Sequence, residues 1–177
     1  MALDGTRTLR GALAGATAAA VWAAQQPLDK RVFGVDYDDA DLLGRLVRAR
    51  GTATQPVGLA LHVVNGALFG AVYANVAPSL PAPAILRGAA AGMVEHLVTW
   101  PSWTVLDRMD LGRDLPKLWG DPRAFGQATW RHLLFGAVLG ELERRLNPPE
   151  TEPEPVDAVA VASNGHGSAE HLVATGP

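Results

Sequence analysis

The chain lacks cysteine altogether, and it has no excess of positive charge. Without thiols, disulfide scaffolds, thiolate zinc sites, iron–sulfur clusters and cysteine nucleophiles are excluded. The formal net charge of −3 over 177 residues argues against a nucleic-acid-binding protein, which needs a basic surface to displace counterions from phosphates. The sequence also lacks a phosphate-binding loop, a dinucleotide fingerprint, a nucleophile elbow and a zincin motif. We therefore expect a non-enzymatic protein that requires no cofactor.

Residues 147–177 differ in composition from the rest of the chain. They are rich in Pro and Glu and contain five acidic residues and no Lys or Arg. Such a segment cannot bury enough apolar surface to offset the entropy lost on ordering, so we predict a disordered acidic tail. Removing its five negative charges from the net −3 leaves residues 1–146, the predicted folded domain, with a balance of +2.

Within residues 1–146 the hydrophobic residues form four blocks, which predict helices over about 9–26, 57–77, 84–105 and 125–145. Each block is close to the roughly 20 residues that a helix needs to cross a bilayer core. The second block contains no charged residue and is the strongest candidate. The other three are weaker, because the first is short and charged residues interrupt the third and fourth. Hydropathy alone therefore supports two membrane spans.

Two internal repeats favour four spans over two. The sequence LRGALAG at 9–15 recurs as LRGAAAG at 86–92, and LFGAV occurs at both 68–72 and 134–138. This pattern predicts a duplicated helical hairpin, with the first two blocks copied as the last two. It also favours a retained first helix over a cleaved signal peptide, which has no reason to recur in mid-chain. The predicted fold is an all-α integral membrane bundle of four helices in two duplicated hairpins.

Each block also contains a pair of glycines four residues apart. In water, a glycine inside a helix costs about 1 kcal/mol relative to alanine, so a soluble bundle has reason to avoid it. In lipid, small residues at this spacing let two helix backbones approach closely. The pattern favours a membrane bundle over the alternative, a soluble helical bundle. The predicted packing glycines are Gly11, Gly15, Gly66, Gly70, Gly88, Gly92, Gly136 and Gly140.

Polar side chains inside the apolar blocks are the candidate functional residues, because an ionisable group at membrane depth is costly and usually has a partner. The histidines lie on the same helix faces as the packing glycines, at a spacing of four residues, and should point into the bundle. The functional alternatives are a proton relay, a divalent metal site and axial haem ligation. The structural alternative is hydrogen bonding that holds helices together. The candidates are His62, Asn65, Glu95, His96 and His132.

Four aspartates in the first connection, at positions 36, 38, 39 and 41, invite comparison with a calcium-binding loop. The glycine and the glutamate of an EF-hand loop are missing from their required positions. We predict instead that Asp38 or Asp39 caps a short amphipathic helix. The apolar side of that helix, which includes Leu42 and Leu46, would face the membrane or the bundle.

The second to fourth blocks carry a resemblance to a known family. The matching features are the small residues of the third block, the run VEH at 94–96, a Pro after an apolar turn, and the helix ending ELERR at 141–145. On these features the chain resembles the YagU-like family of small bacterial inner-membrane proteins of unknown biochemical function. The resemblance implies a multi-pass protein of the bacterial plasma membrane with a link to acid tolerance. It marks His96 and Glu141 as candidate residues without a known role.

Together these patterns lead us to expect an integral membrane protein that acts as a small transport or proton-responsive component. Its expected partners are the lipid bilayer and either a second copy of the chain or another membrane protein, because four short helices enclose little interior. The alternatives are a soluble or peripheral helical binding module and a metal- or haem-binding membrane protein.

Overall fold

A computed structural model describes residues 4–109 and 115–148 of the chain. Over these residues the protein is helical and contains no strand, which confirms the predicted all-α class. The helices are α1 (Gly5–Phe33), α2 (Asp39–Leu46), α3 (Thr54–Val76), α4 (Ala84–Thr99), α5 (Trp103–Leu106) and α6 (Pro122–Leu146). Short 3-10 turns span Gly51–Ala53, Ala77–Ser79 and Trp100–Ser102. The predicted disordered tail lies outside the described residues, apart from positions 147 and 148.

The first helix is longer than the predicted 9–26. Its start is set by Asp4, whose carboxylate accepts hydrogen bonds from the backbone N–H groups of Thr6 and Arg7, at 2.9 and 3.1 Å. It ends at Gly34, which has a φ of 70° and closes the helix in the left-handed conformation. The predicted helix ends before Pro27, whereas α1 continues through that proline to Phe33. In the structure, polar side chains after position 24 are satisfied by contacts with other helices.

The third predicted helix, 84–105, is wrong at its C-terminal end. Helix α4 ends at Thr99, a 3-10 turn follows at Trp100–Ser102, and α5 is a separate single turn. Pro101 explains the break, because proline has no backbone N–H to donate into the preceding turn of an α-helix. The remaining two helices begin three residues earlier than predicted, and each ends within one residue of its predicted end.

Glycines bring the long helices together in two pairs, α1 with α3 and α4 with α6. A Cβ atom added to Gly15 would overlap the carbonyl oxygen of Gly66, and one added to Gly88 would overlap the carbonyl oxygen of Gly136. Backbones this close leave no room for any side chain at the crossing point. All eight predicted packing glycines lie in contacts of this kind: Gly11, Gly15, Gly66, Gly70, Gly88, Gly92, Gly136 and Gly140.

The two pairs meet through α1 and α6, so the helices follow the spatial order α3, α1, α6, α4. Ala14, Trp22 and Leu139 belong to the hydrophobic core at this central contact. Helix α2 packs on α3 and helps to close one end of the assembly. Across the described residues, α3 and α4 do not pack against one another along their lengths, and a polar space lies between them.

Among the described residues, one helical stretch is long and apolar enough to cross a membrane. It is Gly51–Ser79, which contains α3. Only a third of the residues in its most apolar part are buried inside the protein. This stretch contains the block that the sequence marked as the strongest span. Helices α1, α4 and α6 do not pass the same test of length and apolar composition.

Candidate functional site: a buried ionic network beside a polar chamber

The most buried charge that the structure describes is Arg131, whose side chain has no solvent exposure. It lies on the face of α6 that meets α1. Its guanidinium donates to both carboxylate oxygens of Asp29 on α1, with Nε–Oδ2 and Nη2–Oδ1 distances of 2.7 Å. Such bidentate pairing is the strongest geometry available to an arginine and a carboxylate. It joins the two halves of the bundle at their central contact.

A second carboxylate, Asp39 at the start of α2, completes the network. Arg131 Nη1 donates to Asp39 Oδ2 at 2.7 Å, and Trp22 Nε1 and Gln26 Nε2 donate to the same oxygen at 2.8 and 2.9 Å. The Tyr37 hydroxyl donates to Oδ1. Burial and the nearby Asp39 carboxylate raise the pKa of Tyr37 well above its ordinary value, so the hydroxyl keeps the proton that it donates.

Both carboxylates of this network are saturated with hydrogen bonds. Asp39 accepts four, and Asp29 also accepts four: two from Arg131, one from Gln127 at 2.7 Å and one from Gln25 at 2.5 Å. A carboxylate has about four lone-pair sites, so neither group has capacity left for a ligand. The network contains two negative charges and one positive charge, and it therefore leaves one net negative charge buried between the helices.

The three predicted histidines converge beside this network, on the side of the bundle that faces α3 and α4. The Trp22 indole contacts the rings of His62 and His132 edge-on, at centroid distances of 5.1 and 4.7 Å. The ring of His96 lies 4.8 Å from that of His132. The sequence placed these residues on three different helices, and the structure brings all three to one cavity.

Hydrogen bonds assign the proton on two of the three rings. His132 Nδ1 lies 2.7 Å from the Ala128 carbonyl oxygen, which can only accept, so Nδ1 carries the proton and Nε2 presents a lone pair. The Thr129 hydroxyl donates to the Phe125 carbonyl, so it accepts from His96 Nε2 at 3.1 Å. Nε2 of His62 is buried and has no hydrogen-bond partner.

The predicted acid Glu95 faces the same cavity from α4. Its Oε2 atom lies 4.0 Å from His132 Nε2, which is too long for a direct hydrogen bond. The side chain of Asn65 on α3 interacts with the Glu95 carboxylate across the space between α3 and α4. Glu95 and His132 therefore face each other as two acceptors with room for a donor beside them.

These groups surround a chamber of about 240 Å³. Aromatic rings form much of its wall, and the short helices α2 and α5 contribute Leu42, Trp103 and Leu106 to one end. Asn65, Thr99 and Ser102 line the chamber and are also exposed, so they mark its opening. The opening therefore lies between α3 and α4, near the connection that follows α4.

One predicted candidate, Glu141, does not belong to the chamber. It lies near the C-terminal end of α6 and pairs with Arg144 and Arg145 on its own helix, at 2.8 and 2.6 Å. Asp38 has a structural position, because its carboxylate accepts from the backbone N–H groups of Ala40 and Asp41 and caps α2. The capped amphipathic helix predicted for the first connection is therefore present.

The ionic network is not among the predictions made from the sequence. Arg131 lies in the fourth block, where a charge weakens a predicted span, although a lone arginine inside an apolar block is itself a signal of a buried partner. Asp29 and Asp39 both follow the predicted helix 9–26, in the segment interpreted as the first connection. The internal repeat also draws attention to Asp29, because it follows Trp22 at the same sequence spacing as Asp107 follows Trp100.

Comparisons with known proteins identify no relative. Neither a scan against protein-family models nor searches of curated proteins and of solved structures finds a match to this chain. The resemblance to the YagU-like family therefore stays a prediction. Among residues 4–109 and 115–148, no group of three or more His, Asp or Glu side chains is arranged to hold a metal ion.

Proposed function

We propose that the chain is an integral, multi-pass protein of the bacterial plasma membrane and that its chamber serves a small transport or proton-responsive function. In this proposal α1, α3, α4 and α6 lie in the bilayer, and lipid is the first partner of their outer faces. The observation that carries the proposal is the distribution of polar and apolar side chains, which differs from that of a typical water-soluble protein. Large apolar side chains point outward, while ionised groups are buried between the helices.

The outward faces of three long helices consist mainly of Leu, Val and small residues. Leu68 at the middle of α3 is 64% exposed, and Val98 on α4 is 73% exposed. In water, contiguous apolar patches of this extent are rare on a monomeric protein, whereas in lipid they are the expected surface. The exposed apolar residues of these faces include Leu9, Leu13, Leu28, Val32, Val64, Leu68, Val72, Leu86, Val94, Leu97 and Val98.

Two layers of paired charges lie near the two ends of α1. One layer contains Asp29 and Arg131, and the other contains Arg7, which pairs with Glu143 at 2.6 Å. Arg7 and Asp29 are 22 positions apart on α1, which corresponds to about 33 Å at the helical rise. The hydrocarbon core of a bilayer is about 30 Å thick. On α6 the same layers are only 12 positions apart, from Arg131 to Glu143, or about 18 Å, so it is the length of α1 between its two paired charges, and not the distance between the layers, that is comparable to the bilayer core.

Equivalent contacts in the two halves support the duplicated hairpin within this proposal. By the repeat LFGAV, position 66 corresponds to 132 and position 70 to 136. Gly15 meets the carbonyl of Gly66, and Gly92 meets the carbonyl of His132. Gly11 likewise meets position 70, and Gly88 meets position 136. If the two hairpins are copies, the contact between α1 and α6 corresponds to a contact between α3 and α4. The chamber opens at the position of this second contact.

The absence of cysteine allows a direct test of membrane insertion. We would introduce Leu68→Cys on the outward face of α3, and as its control Asp36→Cys in the first connection, where the side chain is 93% exposed. Open membrane fragments from expressing cells are treated with a charged maleimide. The proposal predicts that the connection site labels at once, and that the α3 site labels only after denaturation.

Alkaline carbonate extraction of the same membranes provides a second readout, and the protein should remain in the pellet. If Leu68→Cys labels as fast as Asp36→Cys and carbonate releases the protein, the membrane proposal is refuted. The protein would then be a soluble or peripheral helical module with an exposed apolar surface.

A further inference from the structure

We propose that the chamber binds a small organic ammonium ion carrying N–H donors, held by Glu95 and by the ring nitrogens of His62 and His132. The inference rests on the proposed function, because it names the class of solute that such a transport component would take.

Two acceptor groups of the chamber wall, on His132 and Glu95, lie close enough together to share one donor. His132 Nε2 presents a lone pair, because Nδ1 of that ring donates to Ala128, and the Glu95 carboxylate lies 4.0 Å away. A nitrogen placed beside the pair can donate one hydrogen bond to each atom. His62 also lines the chamber and is 8% exposed, and its buried Nε2 has no hydrogen-bond partner within the protein. A buried polar atom without a partner is costly, so a ligand that supplies the missing hydrogen bond gains affinity.

The net charge of the walls selects a cation. Among the described residues that line the chamber, Arg131 is the one permanently positive group, and its guanidinium is committed to Asp29, Asp39 and the Tyr37 carbonyl. The network leaves one uncompensated negative charge, and Glu95 adds a carboxylate at the opposite wall. An anion entering this space would meet an unfavourable potential.

Aromatic rings supply the apolar part of the site. Trp22, Tyr37, Trp100 and Trp103 all line the chamber. The Tyr37 and Trp103 rings contact each other at a centroid distance of 5.4 Å, and Trp100 lies 6.3 Å from Trp103. Aromatic faces attract cations through their quadrupole and also pack against an alkyl chain. An inorganic cation would use the acceptors but leave these rings unoccupied.

The size and position of the chamber suit a small solute. A volume of about 240 Å³ lies just below the range of drug-sized ligand sites. The exposed rim residues Asn65, Thr99 and Ser102 leave an entrance between α3 and α4. A linear alkylammonium can therefore enter with its charged end toward Glu95 and its chain among the rings.

The test compares three probes of the same chain length: n-butylammonium, 1-butanol and butanoate. Binding to the purified full-length protein is measured by isothermal titration calorimetry. We expect saturable binding of n-butylammonium, with 1-butanol and butanoate at least about tenfold weaker because they lack the charge or the donors. Tetramethylammonium, which has the charge without N–H donors, should also bind more weakly than n-butylammonium.

Glu95→Gln removes the carboxylate charge without entering the ionic network, so it should not prevent folding. It should weaken n-butylammonium binding by about tenfold to a hundredfold, the effect of losing a charge-assisted hydrogen bond. Glu141→Gln, at the exposed end of α6, is the matched control and should bind as the natural protein does. His62→Phe keeps an aromatic ring and removes the unpaired ring nitrogen, and should give a smaller loss.

The inference is overturned if n-butylammonium shows no saturable binding up to about 10 mM, if the neutral or anionic probe binds as well, or if Glu95→Gln leaves binding unchanged. These outcomes are distinct from failure of the membrane proposal, which the maleimide and carbonate experiments decide. Binding by a protein that carbonate releases would support the ammonium site and refute only its role in transport.

Discussion

Replacement of Arg131 by methionine should be one of the most destabilising single changes in this protein. Methionine keeps the aliphatic bulk of the arginine stem, so the variant removes the charge and its donors without opening a large cavity. Asp29 and Asp39 would then remain buried without their cation. Removing one partner of a fully buried ion pair costs about 3–5 kcal/mol. For a chain of this length, that loss should lower the melting temperature by on the order of 10 °C.

The assay is thermal unfolding of the purified protein, followed by circular dichroism or by loss of the monodisperse peak after heating. Arg144→Met provides the control on the same helix, because Arg144 is exposed and a pair at the protein surface contributes little to stability. Adding Asp29→Asn and Asp39→Asn to the Arg131→Met background should recover much of the lost stability, since neutral amides cost less to bury than carboxylates.

This rescue separates the electrostatic explanation from simple packing. A cavity or a steric clash at position 131 would remain when the two aspartates are neutralised, and the triple variant would then be no more stable than Arg131→Met. The electrostatic explanation is refuted if Arg131→Met melts within about 2 °C of the natural protein, or if the Arg144→Met control loses as much stability.

Two further predictions concern the packing and the connection. Gly15→Ala should destabilise the protein by about 1–3 kcal/mol, because the added Cβ would overlap the carbonyl of Gly66. The control Gly5→Ala has open space around its Cβ and should leave the melting temperature nearly unchanged. Equal effects of the two substitutions would contradict close packing at Gly15. Asp38→Ala should remove the cap of α2 at a cost of about 0.5–2 kcal/mol. Burial alone would raise the pKa of Asp38, but its backbone hydrogen bonds and Lys30 lower it below the ordinary value. Its contribution should therefore be present at neutral pH and fade as the pH falls below about 4, so melting curves of the two proteins should converge in acid.

Much of the local structure was predictable because it depends on neighbours in sequence. The apolar blocks predict helices near their observed positions, and Asp38 caps α2 through residues two and three positions ahead. The errors in the predicted helix bounds arise where the structure depends on residues that are distant in sequence. Helix α1 continues past Pro27 to Phe33, and its Asp29 is paired with Arg131, which lies 102 positions away. Without that partner, a charged residue after a proline is typical of a loop.

The sequence by itself determined that the chain is helical, where its apolar stretches lie and which glycines and histidines share a helix face. These are matters of composition and of a period of about 3.6 residues. Only the tertiary structure decided that Asp29, Asp39 and Arg131 meet, because the three charges come from three helices and no periodicity relates them. It also decided that α1 packs on α6 while α3 and α4 stand apart. If the two halves are duplicated, the α1–α6 and α3–α4 contacts are equivalent, so the sequence does not indicate which of the two is closely packed. The ionic network closes one contact, and the chamber with its acceptor groups occupies the other.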